Sequence, residues 1–280
     1  MDRPSGTPPW PPSETSPDTS SDGPSDGPSG PDAPDAPTLR VVVAPVFGTN
    51  CTVVSAPGGD CVVVDAGAGV ADAVVAHVRS AGLVPRAVLA THGHVDHTWD
   101  AAELADRFDV PVVLHAADAY RLADPFGSLE HGRTAAVAGE RGTHRALVSG
   151  PLGAALAAAG ARPQDYREPA RVETFDVPAG EERTLRWGAL GLRAVGAPGH
   201  TEGSTLYLVG EPGAGVVLSG DVLFAGSVGR TDLPGGDGAT MARTLRDVVG
   251  RLDPEWDVLP GHGPATTVAR ELATNPFLAR

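Results

Sequence analysis

Three histidines and one aspartate lie within six consecutive positions at the end of a short apolar run. The run at 87–92, AVLATH, predicts a buried strand, and the segment THGHVDH at 91–97 closes it. Imidazole nitrogen and carboxylate oxygen are the ligands that borderline divalent metals prefer. In an extended loop, residues two apart point the same way, so we expect His92 and His94 to bind one ion together. Asp96 and His97 would then face a second ion.

Three later residues stand in the same context, a predicted strand that ends in a turn. They are His200 in APGHT, Asp221 in LSGD and His262 in LPGHG. An isolated residue of this kind is usually a hydrogen-bonded core group, but loops at strand ends also carry ligands on a rigid scaffold. The full set is too large for one tetrahedral ion and suits two ions that share a carboxylate. Its members are His92, His94, Asp96, His97, His200, Asp221 and His262.

The order of predicted elements indicates an α+β fold. Short β-rich runs open each half of the chain, and helices follow between the later strands, which favours two sheets packed face to face and covered by helices. We predict strands at 39–47, 51–57, 61–67, 87–92, 111–115, 184–200, 205–221 and 256–263. We predict helices at 71–83, 101–108, 241–252 and near 266–274. Residues 124–170 are less regular and predict an insertion over one edge, with an Ala-rich helix at 153–160.

The first 37 residues differ in composition from the rest of the chain. They contain 11 Pro, 7 Ser and 7 acidic residues against a single Arg. Such a segment buries too little apolar surface to offset the entropy of ordering. We therefore predict a disordered tail over 1–37 and one folded domain over 38–280.

Charge and composition narrow the functional classes. Acidic residues outnumber basic ones 35 to 21, for a formal charge of −14, which disfavours binding to nucleic acid. The chain has no Lys, which excludes Schiff-base and P-loop lysine chemistry. No apolar run approaches the ~18 residues of a membrane span, and no signal sequence opens the chain, so we expect a soluble, cytoplasmic protein. Cys51 and Cys61 lie in apolar runs, where we expect buried, inert thiols.

The motifs THGHVDH, APGHT, LSGD and PGHG, in this order, resemble the metallo-β-lactamase fold superfamily over about residues 39–278. The segment VLFAGSVGRTDLPGGD after Asp221 is most similar to the glyoxalase II-like hydrolases. The resemblance implies a four-layer αββα sandwich. It also implies that metal one binds His92, His94 and His200, that metal two binds Asp96, His97 and His262, and that Asp221 bridges both. The true β-lactamase branch has Arg at the position of His97 and a Cys ligand, and this chain has neither.

Asp65, in the sequence VDAG, resembles the carboxylate that lies beneath the metal loop in this family. The alternative is an ordinary aspartate at the end of a strand. The two interpretations are left open here.

The resemblance implies a hydroxyacylglutathione hydrolase-like enzyme that hydrolyses a small-molecule thioester. Two divalent ions, with zinc preferred to iron or manganese, would activate the water, and Asp96 and Asp221 are the residues to which we assign a catalytic role. Only 18 residues follow His262, so we expect the C-terminal helical domain of glyoxalase II to be missing, which leaves the thiol carrier open. Six arginines could meet an anionic carrier, although solvated surface arginines are the preferred interpretation. They are Arg121, Arg133, Arg141, Arg145, Arg162 and Arg167.

Two other activities on the same fold remain alternatives. A persulfide dioxygenase shares the HxHxDH and GRTD segments but uses a single iron ion, whereas this sequence has every ligand of the second metal. A lactonase would place a catalytic Tyr between the bridging Asp and the last His, and no Tyr lies between Asp221 and His262.

Overall fold

Two six-stranded sheets form the centre of the fold in a computed structural model that describes residues 36–133, 154, 157, 158 and 162–278. The first sheet has the order β1-β2-β3-β4-β5-β6. The pairs β1/β2 and β2/β3 are antiparallel, and the pairs β3/β4, β4/β5 and β5/β6 are parallel. Its strands are β1 (Thr38–Val43), β2 (Asn50–Ser55), β3 (Asp60–Val64), β4 (Val84–Leu89), β5 (Val112–His115) and β6 (Val172–Phe175).

The second sheet has the order β14-β13-β10-β9-β8-β7, and only its β10/β13 pair is parallel. Its strands are β7 (Glu182–Trp187), β8 (Leu190–Gly196), β9 (Thr205–Val209), β10 (Val216–Gly220), β13 (Asp257–Pro260) and β14 (Thr266–Thr267). A small hairpin that follows β10 in the chain pairs β11 (Leu223–Phe224) with β12 (Ser227–Val228).

Helices cover the outer faces of both sheets. In the described residues they are α1 (Ala71–Ser80), α2 (Val95–Thr98), α3 (Ala101–Phe108), α4 (Tyr120–Ala123), α5 (Pro125–His131), α6 (Gly238–Asp247) and α7 (Val268–Thr274). Short 3₁₀ turns lie at Ala116–Asp118, Pro163–Asp165 and Val249–Arg251. Asp237 and Thr267 cap the N-termini of α6 and α7 with side-chain oxygens, which explains where these two helices begin. None of the described helices is long and apolar enough to cross a membrane.

Successive side chains along a strand point to opposite faces of its sheet, and this alternation builds the four layers. In β3, Val62 and Val64 pack between the two sheets, while Cys61 and Val63 pack toward α1 and α3. In β9, Tyr207 lies between the sheets, and its neighbours Leu206 and Leu208 pack toward α6. The central strands of each sheet are therefore buried on both faces, and the αββα sandwich predicted from the sequence is confirmed.

The boundaries of several elements differ from the prediction because glycines and prolines break the long apolar runs. The predicted strand 39–47 ends at Val43, and the following turn contains Phe47 with a positive φ of 63°. The run 184–200 is a hairpin of β7 and β8 that turns at Gly188, whose φ is 59°. The helix predicted at 241–252 is α6 followed by a 3₁₀ turn.

Both cysteines are free and buried. Burial raises the pKa of the Cys61 thiol to about 11 and that of Cys51 well above its usual value. Both thiols therefore stay protonated at neutral pH, as expected of inert core residues.

Some predictions fall on parts of the chain that the structure does not describe. The chain divides into two units, Met1–Pro34 and Asp35–Arg280, and the first unit lies outside the described residues. The tail predicted over 1–37 therefore stays a prediction. The helix at 153–160 lies mostly outside the described residues, as do Arg141 and Arg145.

Candidate metal centre

The candidate ligands lie where strands of both sheets end. His92 follows β4 of the first sheet, and Asp96 and His97 lie a few residues further, in the single helical turn α2. The second sheet supplies the others, since His200 follows β8, Asp221 follows β10 and His262 follows β13. Because β10 and β13 are parallel neighbours, Asp221 and His262 leave the same edge of the sheet side by side.

Three buried histidines form the first group of ligands. His92 Nε2 lies 3.1 Å from His94 Nδ1, and His200 Nε2 lies 3.2 Å from His92 Nε2. His200 Nε2 is also 2.9 Å from His94 Nδ1. The three side chains are at most 5% exposed. The extended backbone of His94 places its ring on the same side as His92, as predicted for residues two apart.

Asp96, His97 and His262 form the second group. His97 Nε2 and His262 Nε2 are 3.2 Å apart, and His262 Nε2 lies 3.2 Å from Asp96 Oδ2. His97 Nε2 is 3.9 Å from the same carboxylate oxygen. The sequence interpretation placed this pair in an extended loop, whereas the structure turns Asp96 and His97 toward His262 through the helical turn α2.

Asp221 lies between the two groups. Its Oδ1 is 3.3 Å from His97 Nε2, and its Oδ2 is 3.6 Å from His200 Nε2 and 3.7 Å from His262 Nε2. This carboxylate therefore reaches both groups at once. The structure thus brings all seven side chains of the sequence prediction into one cluster.

Backbone carbonyls fix the protonation of two rings. His200 Nδ1 lies 2.8 Å from the carbonyl oxygen of Arg230, and His262 Nδ1 lies 3.0 Å from that of Phe47. A carbonyl oxygen only accepts, so Nδ1 must carry the proton in both rings. In the neutral rings Nε2 then holds a lone pair, and this lone pair faces the centre of the cluster.

The rings of His97 and His92 are oriented in a similar way. His97 Nδ1 lies 3.0 Å from Asp65 Oδ2, so the carboxylate attracts the proton to Nδ1. The Thr91 hydroxyl donates to Asp65 Oδ2 and is left to accept from His92 Nδ1 at 3.2 Å. In the neutral rings both arrangements leave Nε2 as an acceptor directed at the centre.

The donor set fits a pair of divalent cations. Nitrogen lone pairs that face one another at 2.9–3.2 Å repel unless a cation lies among them. A tetrahedral zinc ion with metal–nitrogen distances of about 2.0–2.1 Å would space its ligands about 3.3 Å apart, close to these values. The described residues also form groups of possible ligands in which the atoms lie within 4.8 Å of one another. Histidine and carboxylate donors without thiolate suit zinc, iron or manganese.

Electrostatics make the cluster a site for positive charge. Burial lowers the pKa of His92 and His94 well below the usual value, which keeps both rings neutral. Burial also acts to lower the pKa of His97, but the charges of Asp221 and other carboxylates outweigh it and raise that pKa. For Asp96, burial raises the pKa and the charge of His97 more than offsets it, so the pKa is lowered and the carboxylate is ionised.

Asp65 lies beneath the metal loop. Its Oδ1 accepts from the Thr91 amide at 2.7 Å, and its Oδ2 accepts from the Thr91 hydroxyl at 2.8 Å. Asp65 is 3% exposed and has a positive φ of 59°, a conformation that carries strain in a residue other than glycine. These contacts favour the positioning role over the ordinary strand-end aspartate.

We expect Asp65→Asn to weaken zinc binding at the Asp96–His97–His262 group about 10–100-fold, because His97 loses the carboxylate that orients its ring. Competition with a chromophoric chelator measures the affinity. The matched control is Asp60→Asn at the start of β3, where the carboxylate is partly exposed and contacts Arg86 and the Ala189 amide. Unchanged zinc affinity in Asp65→Asn would leave Asp65 as an ordinary strand-end residue.

Asp118 is a buried carboxylate that no sequence motif indicates, and Arg121 lies elsewhere than the sequence predicts. Asp118 is fully buried in the 3₁₀ turn after β5, and Arg121 is fully buried one turn later. The six arginines were interpreted either as solvated surface residues or as contacts for an anionic carrier. Both interpretations are wrong for Arg121, because its side chain is buried and paired within the protein. It donates to Glu202 at 2.6 Å and lies 3.4 Å from Asp118. No local pattern signals this pair, because its partners come from a distant loop.

The other described arginines of that group contact the protein's own surface. Arg133 donates to the Ala117 carbonyl oxygen at 2.7 Å, Arg162 pairs with Asp165 at 2.8 Å, and Arg167 pairs with Asp106. The guanidinium groups of Arg162 and Arg167 are well exposed. They match the solvated interpretation.

Comparison with known families and proteins gives consistent matches. The model of the Metallo-beta-lactamase superfamily matches residues 44–262. An uncharacterized protein of Mycobacterium tuberculosis is 36% identical over 239 residues, 84% of this chain and 95% of the relative. The probable metallo-hydrolase YqgX of Bacillus subtilis is 32% identical over 85% of this chain and 96% of its own length. Hydroxyacylglutathione hydrolase GloC of Haemophilus influenzae is 26% identical over 86% of this chain and 97% of its own length.

Solved structures show the same architecture. The crystal structure of BLEG-1 B3 metallo-beta-lactamase superposes with a TM-score of 0.66 at 27% identity, over 87% of this chain and 100% of that one. The crystal structure of TTHA1623 in a di-iron-bound form gives a TM-score of 0.63 at 29% identity, over 85% of this chain and 100% of that one. The segment matched by the family model ends at His262, so it contains all seven candidate ligands.

Proposed function

The chain belongs to the metallo-beta-lactamase superfamily, and from that premise we propose that it is a hydrolase with two divalent metal ions, zinc foremost, that cleaves a small-molecule thioester. The observation that carries the proposal is the convergence of two groups of three ligands around Asp221. The name of GloC, a relative along most of both chains, supports a hydroxyacyl thioester as the substrate class.

The residues that would hold the ions follow from the geometry. His92, His94 and His200 would hold one ion, and Asp96, His97 and His262 the other, while Asp221 would contact both. Two ions bound in this way would lower the pKa of a water molecule toward neutrality and polarise the carbonyl of the substrate. The protein itself would orient the substrate, hold the ligand rings in place and accept hydrogen bonds from the water.

The substrate would enter on the side of Asp96 and His262. The side chains of these two residues are 24% and 25% exposed, whereas His97 is fully buried. Asp96 is ionised, so its carboxylate can accept a hydrogen bond from the attacking water. The remote nitrogens of His97, His200 and His262 are held by protein acceptors, so these rings stay fixed while charge develops on the substrate.

Aromatic side chains flank this entrance. Phe47 is 39% exposed on the turn whose carbonyl holds His262, and the Phe224 ring lies 6.3 Å from the His262 ring. An apolar wall beside the ligands suits the acyl chain or the soft sulfur of a thioester better than a highly charged substrate. This supports a thioester over a phosphate ester.

Thiol release from a panel of thioesters tests the proposal. We expect purified, zinc-loaded protein to release thiol from a hydroxyacyl thioester of glutathione or of another small thiol, without oxygen uptake. Elemental analysis should find about two ions per chain. Oxygen uptake with glutathione persulfide and one iron ion per chain would instead indicate the dioxygenase activity. Cleavage of none of the thioesters by metal-loaded protein would contradict the proposed substrate class.

A further inference from the structure

We propose that Asp118 is a positioning residue that presets the three-histidine group, although its hydrogen bonds go to neighbours of the three histidines and to Arg121. This inference rests on the proposed metal centre but not on the identity of the substrate. It concerns the backbone that carries His92, His94 and His200. Asp118 itself is fully buried and belongs to neither of the two segments that carry these ligands.

The carboxylate of Asp118 joins the two segments. Its Oδ2 accepts from the Gly93 amide at 2.8 Å, and Gly93 lies between the ligands His92 and His94. The same oxygen accepts from the Thr201 hydroxyl at 2.7 Å, directly after the ligand His200. Its Oδ1 accepts from the Gly203 amide at 2.9 Å. One side chain therefore fixes the distance between both ligand-bearing loops.

Close packing shows that both loops rest directly on Asp118. A Cβ atom at Gly93 would lie 2.8 Å from the backbone oxygen of Asp118, and one at Gly203 would lie 2.7 Å from its Cγ. Real side chains do not approach so closely, so the two glycines permit the contact. The loops cannot shift relative to each other without breaking these hydrogen bonds.

Arg121 compensates the buried charge. Its Nε lies 3.4 Å from Asp118 Oδ1, and its NH2 group donates to Glu202 at 2.6 Å and to the Pro234 carbonyl oxygen at 3.1 Å. Glu202 follows the Thr201 that Asp118 accepts from, so this ion pair holds the His200 loop a second time. A buried carboxylate with this many partners is rigid, as a positioning group must be.

Contacts other than those of Asp118 orient two side chains of the second group. His97 is oriented by Asp65, and His262 by the Phe47 carbonyl oxygen. Replacing Asp118 should therefore weaken one metal site selectively. A general loss of stability would instead weaken both.

Zinc affinity in two single-site backgrounds tests the inference. The substitution His262→Ala leaves the three-histidine group, and His200→Ala leaves the other group. We expect Asp118→Asn to raise the zinc Kd about 10–100-fold in the first background and less than about threefold in the second, measured by chelator competition on the full chain. Asparagine is a suitable replacement because it keeps the shape of the side chain but replaces one acceptor oxygen with an NH2 donor.

Glu271→Gln is the matched control. Glu271 is 1% exposed, and its carboxylate also accepts three hydrogen bonds, from the Gly226 amide, the Thr266 hydroxyl and the Asn275 amide group. It lies on α7 and contacts no loop that carries a histidine ligand of the first group. We expect no change of zinc Kd beyond about twofold in either background.

Thr201→Val gives a second variant should Asp118→Asn fail to fold. It removes one donor to Asp118 and preserves the shape of the side chain, so we expect a weaker loss of a few fold, again only in the His262→Ala background. Equal loss in both backgrounds, or no loss in either, would overturn the inference. If the His262→Ala parent binds no zinc, the proposed metal centre itself fails.

Discussion

Asp221→Asn is expected to reduce hydrolysis on the order of a thousandfold or more and to lower the bound metal below two ions per chain. Asp221 reaches His97, His200 and His262 within 3.3–3.7 Å, so its carboxylate contacts both groups of ligands. Burial raises the pKa of Asp221, but the charges of His97 and of the other rings lower it by more. The net pKa is therefore lowered, and the residue is anionic. Asparagine has the same shape and no charge.

Steady-state thiol release and elemental analysis on the same sample measure this effect. Asp247→Asn is the control, since Asp247 is an exposed carboxylate on α6 that pairs with its neighbour Arg246. We expect this control to keep full activity and metal content. Wild-type turnover in Asp221→Asn would refute the shared-carboxylate assignment.

Arg121→Met should destabilise the fold by about 3–5 kcal/mol, because it removes one partner of a buried ion pair. Both side chains of the Arg121–Asp118 pair are fully buried, so water cannot replace the lost guanidinium. Methionine fills much of the same volume, so the loss reports on charge and hydrogen bonds more than on a cavity. Urea unfolding, followed by circular dichroism, measures the free energy of unfolding.

Arg167→Met provides the comparison for this prediction. Arg167 pairs with Asp106 at the surface, and its side chain is 59% exposed. Exposed ion pairs contribute about 0–1 kcal/mol, so we expect a small change. If both variants unfold at the same urea concentration, the buried pair does not stabilise the protein.

The sequence was sufficient for the parts of the site that depend on local pattern. His92 and His94 are two apart in extended backbone, and His200, Asp221 and His262 each follow an apolar run and a Gly, so their positions at strand ends could be predicted. The order of β-rich runs and helices likewise predicted two sheets packed face to face and covered by helices. Both features follow from local patterns and from element order, which a sequence displays directly.

Features that depend on distant partners could not be predicted in this way. The role of Asp118 exists only because Gly93 and Gly203, 110 positions apart in the chain, meet at one carboxylate. Arg121 resembled a surface residue because a charged side chain after an Ala-rich turn usually lies in solvent. The helical turn α2 is too short to produce a periodic pattern.

Each group of ligands draws its members from both sheets, with His200 and His262 on one side and the THGHVDH loop on the other. Ions bound as proposed would thus act as reversible cross-links between the two halves of the sandwich. Separation of the halves would then require release of both ions. The lifetime of the folded chain would be tied to the free metal concentration around it.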